Sequence, residues 1–133
     1  MEKPVTYTPT AEEDRIATAI VDAGFQVHKV LGPGLLESVY EECIAYELME
    51  RGLSVRRQVA MPIVYKTVKL EAGYRLDLIV ESKVIVEVKA IDQLQPIHQA
   101  QLMTYLRLSG CRLGFLANFN VRMFKDGMRR MVV

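Results

Sequence analysis

The segment from Tyr74 to Ala90, YRLDLIVESKVIVEVKA, places two apolar runs on either side of a short polar break. This pattern predicts a β-hairpin. A three-residue loop, Glu81-Ser82-Lys83, gives one face of the hairpin only apolar pairs, because Val80–Val84, Leu78–Val86 and Leu76–Val88 then lie opposite each other. A loop of two residues would mix both faces. We therefore expect the longer loop, although it lacks the glycine that such loops prefer.

The other face of this hairpin carries charge among its isoleucines. In the same register Asp77 lies opposite Glu87, and Arg75 lies opposite Lys89. Directly opposed side chains have Cβ atoms about 5 Å apart, and like charges at that distance destabilise a sheet. A divalent cation such as Mg²⁺ would offset the repulsion, because it binds carboxylate oxygens. The alternative is a solvated strand face whose acids are neutralised by Arg75 and Lys89, and the hairpin alone leaves both interpretations open.

Composition limits the class of protein. The 133 residues are enough for one domain with a core, and half of them are hydrophobic. A net charge of +1 excludes a protein that wraps nucleic acid by bulk charge, but it allows a local basic strip. Cys43 and Cys111 lack CxxC spacing, so we expect no zinc site and two free cysteines buried as small hydrophobic residues. No apolar run approaches about 20 residues, so we expect a cytoplasmic protein with no membrane partner.

The remaining sequence indicates three helices and five strands. We expect a flexible tail over residues 1–9 and a single domain over 10–133. Thr10 and Glu13 form a capping box for a first helix that ends near Lys29. A second helix should run from about Leu35 to a C-cap at Gly52. Its predicted inner stripe consists of Leu36, Val39, Cys43, and Tyr46 or Glu47.

Strand signals fill residues 54–65, 66–80 and 83–90. A third helix should begin at Pro96 and end at Ser109-Gly110. Two further strands follow in residues 111–133, the last with an Asp126-Gly127 turn. The order ααβββαββ predicts an α/β or α+β fold in which helices flank the sheet.

Two short motifs extend the set of candidate site residues. GPGLLESVY contains Gly34, Glu37 and Tyr40 at G-x-x-E-x-x-Y spacing, and HQAQLMTYL places Gln101 and Tyr105 one helical turn apart. Glu37 could be purely structural, because an acid is favoured at a helix N-terminus. Gln101 could be a boundary residue, or it could bind a catalytic carboxylate or a substrate phosphate.

In this order, the motifs resemble the PD-(D/E)xK nuclease superfamily, and more specifically its small bacterial GxxExxY branch. The resemblance runs from Thr10 to the NFN…KDG…RR ending. It implies a restriction-endonuclease-like core, which is a mixed β-sheet flanked by helices with an acidic site at one edge. Leu76 precedes Asp77 where the superfamily motif has proline, a substitution that the superfamily tolerates.

The resemblance also implies roles for individual residues. Asp77, Glu87 and the Val88 carbonyl would bind one or two Mg²⁺ or Mn²⁺ ions, and Glu37 would complete the metal site. Lys89 would serve the attacking water, and Gln101 would act beside these catalytic residues. The supporting or phosphate-contacting residues would be Tyr40, Arg75 and Tyr105.

These inferences predict a metal-dependent nuclease that hydrolyses phosphodiester bonds of nucleic acid, with DNA ranked above RNA as the substrate. A homodimer would be one way to present two sites to a duplex. Candidate backbone-binding residues are Arg56, Arg57, Lys66, Lys69, Arg122, Lys125, Arg129 and Arg130. The alternatives are a non-catalytic nucleic-acid-binding or protein-interaction module that retains the fold, and a structural partner in a larger assembly.

Overall fold

The first helix begins at the predicted capping box. In the computed structural model, which describes residues 7–133, helix α1 spans Ala11–Leu31. Thr10 Oγ1 accepts the Glu13 N–H at 3.1 Å, and Glu13 Oε1 accepts the Thr10 N–H at 2.8 Å. The Tyr7 hydroxyl also donates to Glu13. The rest of the predicted tail, residues 1–6, lies outside the described residues.

Helix α2, Glu37–Glu50, is rotated relative to the prediction. Its buried residues include Tyr40, Ile44, Ala45 and Leu48, whereas the side chains predicted to face inward, Leu36, Val39, Cys43, and Tyr46 or Glu47, lie at least partly in solvent. The predicted stripe was therefore wrong. Tyr40 sets the rotation, because its ring stacks on Phe119 with centroids 4.6 Å apart. The C-cap is Arg51 rather than Gly52, which follows with a φ of 80°.

A five-stranded sheet in the order β1-β2-β3-β4-β5 forms the centre of the domain. The β3–β4 pair is parallel and the other neighbouring pairs are antiparallel. The third helix, α3, provides the crossover between the parallel strands. The bounds are β1 Val55–Tyr65, β2 Val68–Val80, β3 Val84–Lys89, α3 Pro96–Ser109, β4 Leu113–Asn118 and β5 Met128–Val132. The predicted order ααβββαββ and the mixed sheet are thus confirmed.

The Asp126-Gly127 pair does not form a turn within a strand, as the sequence had suggested. Phe124–Gly127 instead forms a short 3₁₀ helix that precedes β5. The backbone of Gly127 packs so closely on β4 that an added Cβ would lie 2.0 Å from the Asn118 carbonyl oxygen. This close approach brings the chain back against the sheet before β5 begins.

The predicted register of the β2–β3 hairpin is confirmed. Val80 pairs with Val84, Ile79 with Ile85 and Leu78 with Val86. The loop closes through a hydrogen bond from the Lys83 N–H to the Val80 carbonyl at 3.0 Å. Glu81 and Ser82 take positive φ values of 53° and 54°, the conformation for which such loops usually use glycine or asparagine.

The two faces of the sheet support separate clusters of buried side chains. Helices α1 and α2 cover one face, on which Leu78 and Val80 lie. Helix α3 covers the other face with Leu102 and Leu106. Leu76 was expected beside Leu78, but it belongs to the α3 side. The alternation of β2 therefore breaks between these two leucines, at Asp77. No helix within residues 7–133 has the length and hydropathy needed to cross a membrane.

Candidate active site

Asp77 and Glu87 lie where β2 and β3 stop pairing. The last backbone pair of the ladder is Leu78–Val86. Beyond it, Asp77 Oδ2 accepts the Val88 N–H at 2.8 Å, and Glu87 Oε1 lies 3.4 Å from the Asp77 nitrogen that donates to it. Carboxylate oxygens therefore take the place of the ladder carbonyls. The two acids are neighbours as predicted, but hydrogen bonds between carboxylates and backbone N–H groups link β2 to β3 at this level instead of a continued backbone pairing.

The environment of these acids disfavours two negative charges. Glu87 is only 5% exposed, and burial is the main cause that raises its pKa to about 9. The charge of Asp77 and a hydrogen bond with it raise the pKa further. Neither acid forms an ion pair with a lysine, arginine or histidine among residues 7–133. At neutral pH and without a bound cation, the pair therefore retains a proton.

Lys89 and Glu37 approach this pair from two different elements. Lys89 is half-buried at the end of β3, and its carbonyl accepts the Phe119 N–H at 2.9 Å. Glu37 lies in the exposed first turn of α2. Its pKa is raised by partial desolvation and by the charges of Asp77 and Glu41, and Lys89 opposes the shift. The pKa of Glu37 thus responds to the charges of Asp77 and Lys89, the residues with which the motifs group it.

Tyr40 anchors the loop that leads into α2. Its hydroxyl donates to the Gly32 carbonyl at 2.6 Å and accepts the Leu35 N–H at 3.0 Å. The residue is fully buried. The tyrosine of the G-x-x-E-x-x-Y spacing thus fixes the start of the helix that carries Glu37.

The third helix contributes an aromatic pair beside the acids. Tyr105 stacks on Tyr74 of β2, with ring centroids 4.4 Å apart and planes 5° from parallel. Burial is the main cause that raises the pKa of both phenols, and Glu87 adds to each shift. Gln101 is solvent-exposed, and its amide has no hydrogen-bond partner among the described residues. Tyr74 was not predicted, although its place at the start of the hairpin segment made it a candidate.

The sequence predicted that Arg75 lies opposite Lys89, but Arg75 contacts β1 instead. It pairs in register with Ala60 of β1, and its Nη1 donates to the Gln58 carbonyl at 3.3 Å. The reason is the early end of the β2–β3 ladder, which leaves Arg75 beyond the last pair with β3.

Sequence reasoning missed a polar cluster between α2 and β1. Glu41 is buried, and its two oxygens accept hydrogen bonds from Arg57 Nη2 at 3.0 Å and Gln58 Nε2 at 2.6 Å. Gln58 Nε2 also lies 3.5 Å from Asp77 Oδ1. A usable signal was the helical spacing of Glu37 and Glu41, which places a second acid one turn into the same helix.

The candidate basic strip is partly neutralised. Arg57 pairs with Glu41 at 3.0 Å, Lys69 with Glu71 at 3.5 Å and Arg130 with Asp14 at 3.4 Å. The exposed side chains that form no ion pair with a described residue are Arg56, Lys66, Arg122, Lys125 and Arg129.

The chemistry of the two acids fits a hard divalent cation. Two adjacent carboxylates that have no cationic partner among residues 7–133 supply the oxygen ligands that Mg²⁺ and Mn²⁺ take. A bound cation would also relieve the repulsion that, together with burial, raises the pKa of Glu87. Within residues 7–133, however, no three acidic, histidine or cysteine side chains converge closely enough to form a ready-made metal cluster. The fit of a divalent cation to this site therefore rests on the carboxylates of Asp77 and Glu87, because Glu37 does not lie close enough to them to form a three-ligand cluster.

Comparison with known proteins agrees with this arrangement. A family model described as the PD-(D/E)XK nuclease superfamily matches residues 14–131. No curated protein and no solved structure matches the chain. The match includes all three helices of the fold except the first turn of α1, and it includes the residues of the acidic site. Nucleases of this superfamily generally use divalent metals. The chain belongs to the PD-(D/E)XK nuclease superfamily.

Proposed function

We propose that the chain is a metal-dependent nuclease of the GxxExxY branch that hydrolyses phosphodiester bonds in nucleic acid. The observation that carries this proposal is the Asp77–Glu87 pair, in which a half-buried and a buried carboxylate lie side by side at the end of a hairpin in a chain of a nuclease superfamily. A merely solvated strand face would not bury Glu87 at 5% exposure next to a second acid.

Asp77, Glu87 and the Val88 carbonyl would hold one or two Mg²⁺ or Mn²⁺ ions, and Glu37 would complete the site from α2. A bound cation would supply Lewis-acid stabilisation of the negative charge that develops at phosphorus. Binding would also displace the proton that the acid pair retains, so that both carboxylates become available as ligands.

The chain's own residues would position the other reactants. Lys89 lies on the strand that carries Glu87 and would orient the attacking water, either as an ammonium donor or as a general base. Gln101 and Tyr105 of α3, and Arg75 of β2, would contact the substrate backbone. Tyr40 would act indirectly, since it holds the loop and helix that present Glu37.

The proposed substrate is DNA in preference to RNA. The exposed cations Arg56, Lys66, Arg122, Lys125 and Arg129 form no ion pair within the described range 7–133, so they are the candidate phosphate contacts, whereas Arg57, Lys69 and Arg130 are paired with acids. A homodimer would present two such sites to a duplex. The cytoplasmic location expected from the lack of a long apolar run, and the bacterial origin implied by the resemblance, stay predictions.

A second candidate is a non-catalytic nucleic-acid-binding or protein-interaction module that keeps the nuclease fold. The absence of a converged three-ligand cluster among residues 7–133 and the exposed position of Gln101 favour it. The two candidates differ in one respect that can be measured, because only the nuclease requires the acid pair and Lys89 for turnover.

The deciding experiment is a cleavage assay on supercoiled plasmid, linear duplex DNA and structured RNA in the presence of Mg²⁺ or Mn²⁺. We expect the wild type to cleave DNA, and Asp77→Asn to lose this activity without loss of fold. Asp92→Asn, which changes an exposed acid of the loop after β3, is the matched control. Equal cleavage by wild type and Asp77→Asn, or no cleavage by the wild type, would contradict the proposal, because turnover would then not depend on the acid pair.

A further inference from the structure

Gln58 adopts a conformation that a strand residue rarely takes. It lies within β1 and has a φ of 50°, in the left-handed region. The ladder with β2 contains Arg57–Leu78 on one side and Val59–Leu76 on the other, but it omits the position where Gln58 would face Asp77. The regular pairing of β1 with β2 is therefore interrupted at the position where Gln58 would face Asp77. Strained backbone of this kind persists only where the surrounding structure holds it, and it concentrates at functional sites.

The side chain of Gln58 joins two acids. Its Nε2 donates to Glu41 Oε1 at 2.6 Å and lies 3.5 Å from Asp77 Oδ1. Glu41 cannot easily move, because it is 6% exposed and its other oxygen accepts from Arg57 Nη2 at 3.0 Å. The amide of Gln58 is thus fixed from the side of α2.

The backbone of Gln58 is held as well. Its carbonyl accepts a hydrogen bond from Arg75 Nη1 at 3.3 Å. On the far side of Asp77, Oδ2 accepts the Val88 N–H at 2.8 Å. The Asp77 carboxylate therefore lies between a backbone donor on β3 and the amide of Gln58 on β1, and these two contacts limit its rotation.

We propose that Gln58 is a positioning residue for Asp77, and that Glu41 and Arg57 hold Gln58 in place for this role. The inference rests on the proposed nuclease function for its consequence in catalysis, whereas the orientation of Asp77 can be tested without it. Gln58 orients a ligand carboxylate and does not touch the substrate, so its loss weakens cation binding and kcat and leaves the KM for nucleic acid unchanged.

The amide group is the chemical requirement at this position. Glutamate would place a third carboxylate between Glu41 and Asp77, and methionine would fill similar space without a donor. Asparagine keeps the amide and tolerates positive φ, but it is one methylene too short to reach both acids. Both variants thus remove the bridge between Glu41 and Asp77. Methionine lacks the amide donor, whereas asparagine suits the positive φ but is too short.

The experiment compares Gln58→Met and Gln58→Asn with the wild type and with Gln26→Met. Gln26 is exposed on α1, so the control makes the same chemical change away from the acids. The first readout is hydrogen exchange of the Val88 amide, followed by NMR without divalent cation, because this N–H donates to Asp77. We expect exchange to be about 2- to 10-fold faster in both Gln58 variants, in line with the worth of one hydrogen bond, with amides in α1 unchanged. The Gln26→Met variant should match the wild type.

The second readout is calorimetric titration of Mn²⁺, and the third is the kinetics of DNA cleavage. Both Gln58 variants should bind Mn²⁺ about tenfold more weakly and should lose kcat with an unchanged KM. Unchanged Val88 exchange in both variants would overturn the inference, and so would a uniform acceleration of all amides, which indicates global destabilisation. If the wild type neither binds Mn²⁺ nor cleaves DNA, the nuclease proposal fails, while a specific change at Val88 still assigns the orientation of Asp77 to Gln58.

Discussion

The Asp77 carboxylate accepts the backbone N–H of Val88 at 2.8 Å, at the level where β2 and β3 cease to pair. This contact places a half-buried carboxylate between the two strands where their pairing stops. Glu87, the residue before Val88, accepts the backbone N–H of Asp77 at 3.4 Å and is buried there. One local departure from regular strand pairing thus creates the acid pair on which the proposed chemistry depends.

Stability should fall with rising pH when no divalent cation is present. The folded-state pKa of Glu87 is about 9, above the unfolded value of 4.5, so the folded chain retains a proton that the unfolded chain has lost between these values. The free energy of unfolding therefore decreases as pH rises through this window, by up to about 1.4 kcal/mol per pH unit. Urea denaturation between pH 5 and pH 9 in EDTA, at intervals of about one unit, measures the slope.

The Glu87→Gln variant should lose this part of the pH dependence, because glutamine does not titrate. Glu42→Gln, an exposed acid on α2, is the control and should retain the wild-type slope. A slope that is identical in all three proteins would show that Glu87 is ionised in the folded state at neutral pH.

Lys89→Ala should reduce kcat about 10²- to 10⁴-fold, the contribution expected of a group that positions or deprotonates the attacking water. The fold should persist, since Lys89 is only half-buried at a strand end. Lys83→Ala, which removes an exposed lysine from the hairpin loop, should keep wild-type activity. Initial rates on plasmid DNA with matched circular dichroism spectra make the comparison, and full activity of Lys89→Ala would refute the assigned role.

Tyr40→Phe should destabilise the fold by about 1–2 kcal/mol, because the ring still stacks on Phe119 but the loop loses both hydrogen bonds of the hydroxyl. Tyr46→Phe, at a residue that is 58% exposed, should change stability by less than about 0.5 kcal/mol. Urea denaturation of the two variants gives the difference. If they have equal stability, the hydroxyl of Tyr40 does not anchor the loop.

Tyr105→Ala should cost about 2–4 kcal/mol, since it removes the ring that stacks on Tyr74 at the boundary between α3 and the sheet. Gln101→Ala, in the same helix, should leave stability unchanged because its side chain is exposed. Thermal unfolding tests both values. A Tyr105→Ala protein as stable as the wild type would show that the aromatic pair contributes little to the packing of α3 on the sheet.

The hairpin was predictable because a period of two residues leaves only one register in which an apolar face stays intact. The same logic failed for Leu76. Alternation assumes a regular strand, and β2 is irregular at Asp77, opposite the strained Gln58. The positive φ of a glutamine has no signature in the sequence, so the change of face could not be anticipated.

The rotation of α2 was missed for a different reason. Hydropathy favoured Leu36 and Val39 as inward-facing residues, but Leu36 lies before the first helical residue and is 73% exposed. The ring of Tyr40 and its contact with Phe119, distant in sequence, set the orientation. The Glu41–Arg57–Gln58 cluster depends likewise on how α2 packs against β1, and tertiary packing is not encoded in local periodicity.

Calorimetric titration of Mg²⁺ and Mn²⁺ into the purified protein measures whether Asp77 and Glu87 hold a cation. We expect one saturable binding event in the wild type, its loss in Asp77→Ala and in Glu87→Gln, and its retention in the Asp92→Asn control. Binding should release protons at neutral pH, because the acid pair gives up the proton that it retains without a cation. Titrations in two buffers of different ionisation enthalpy detect this release. Binding that persists unchanged in Asp77→Ala would contradict the account, since the cation would then lie elsewhere.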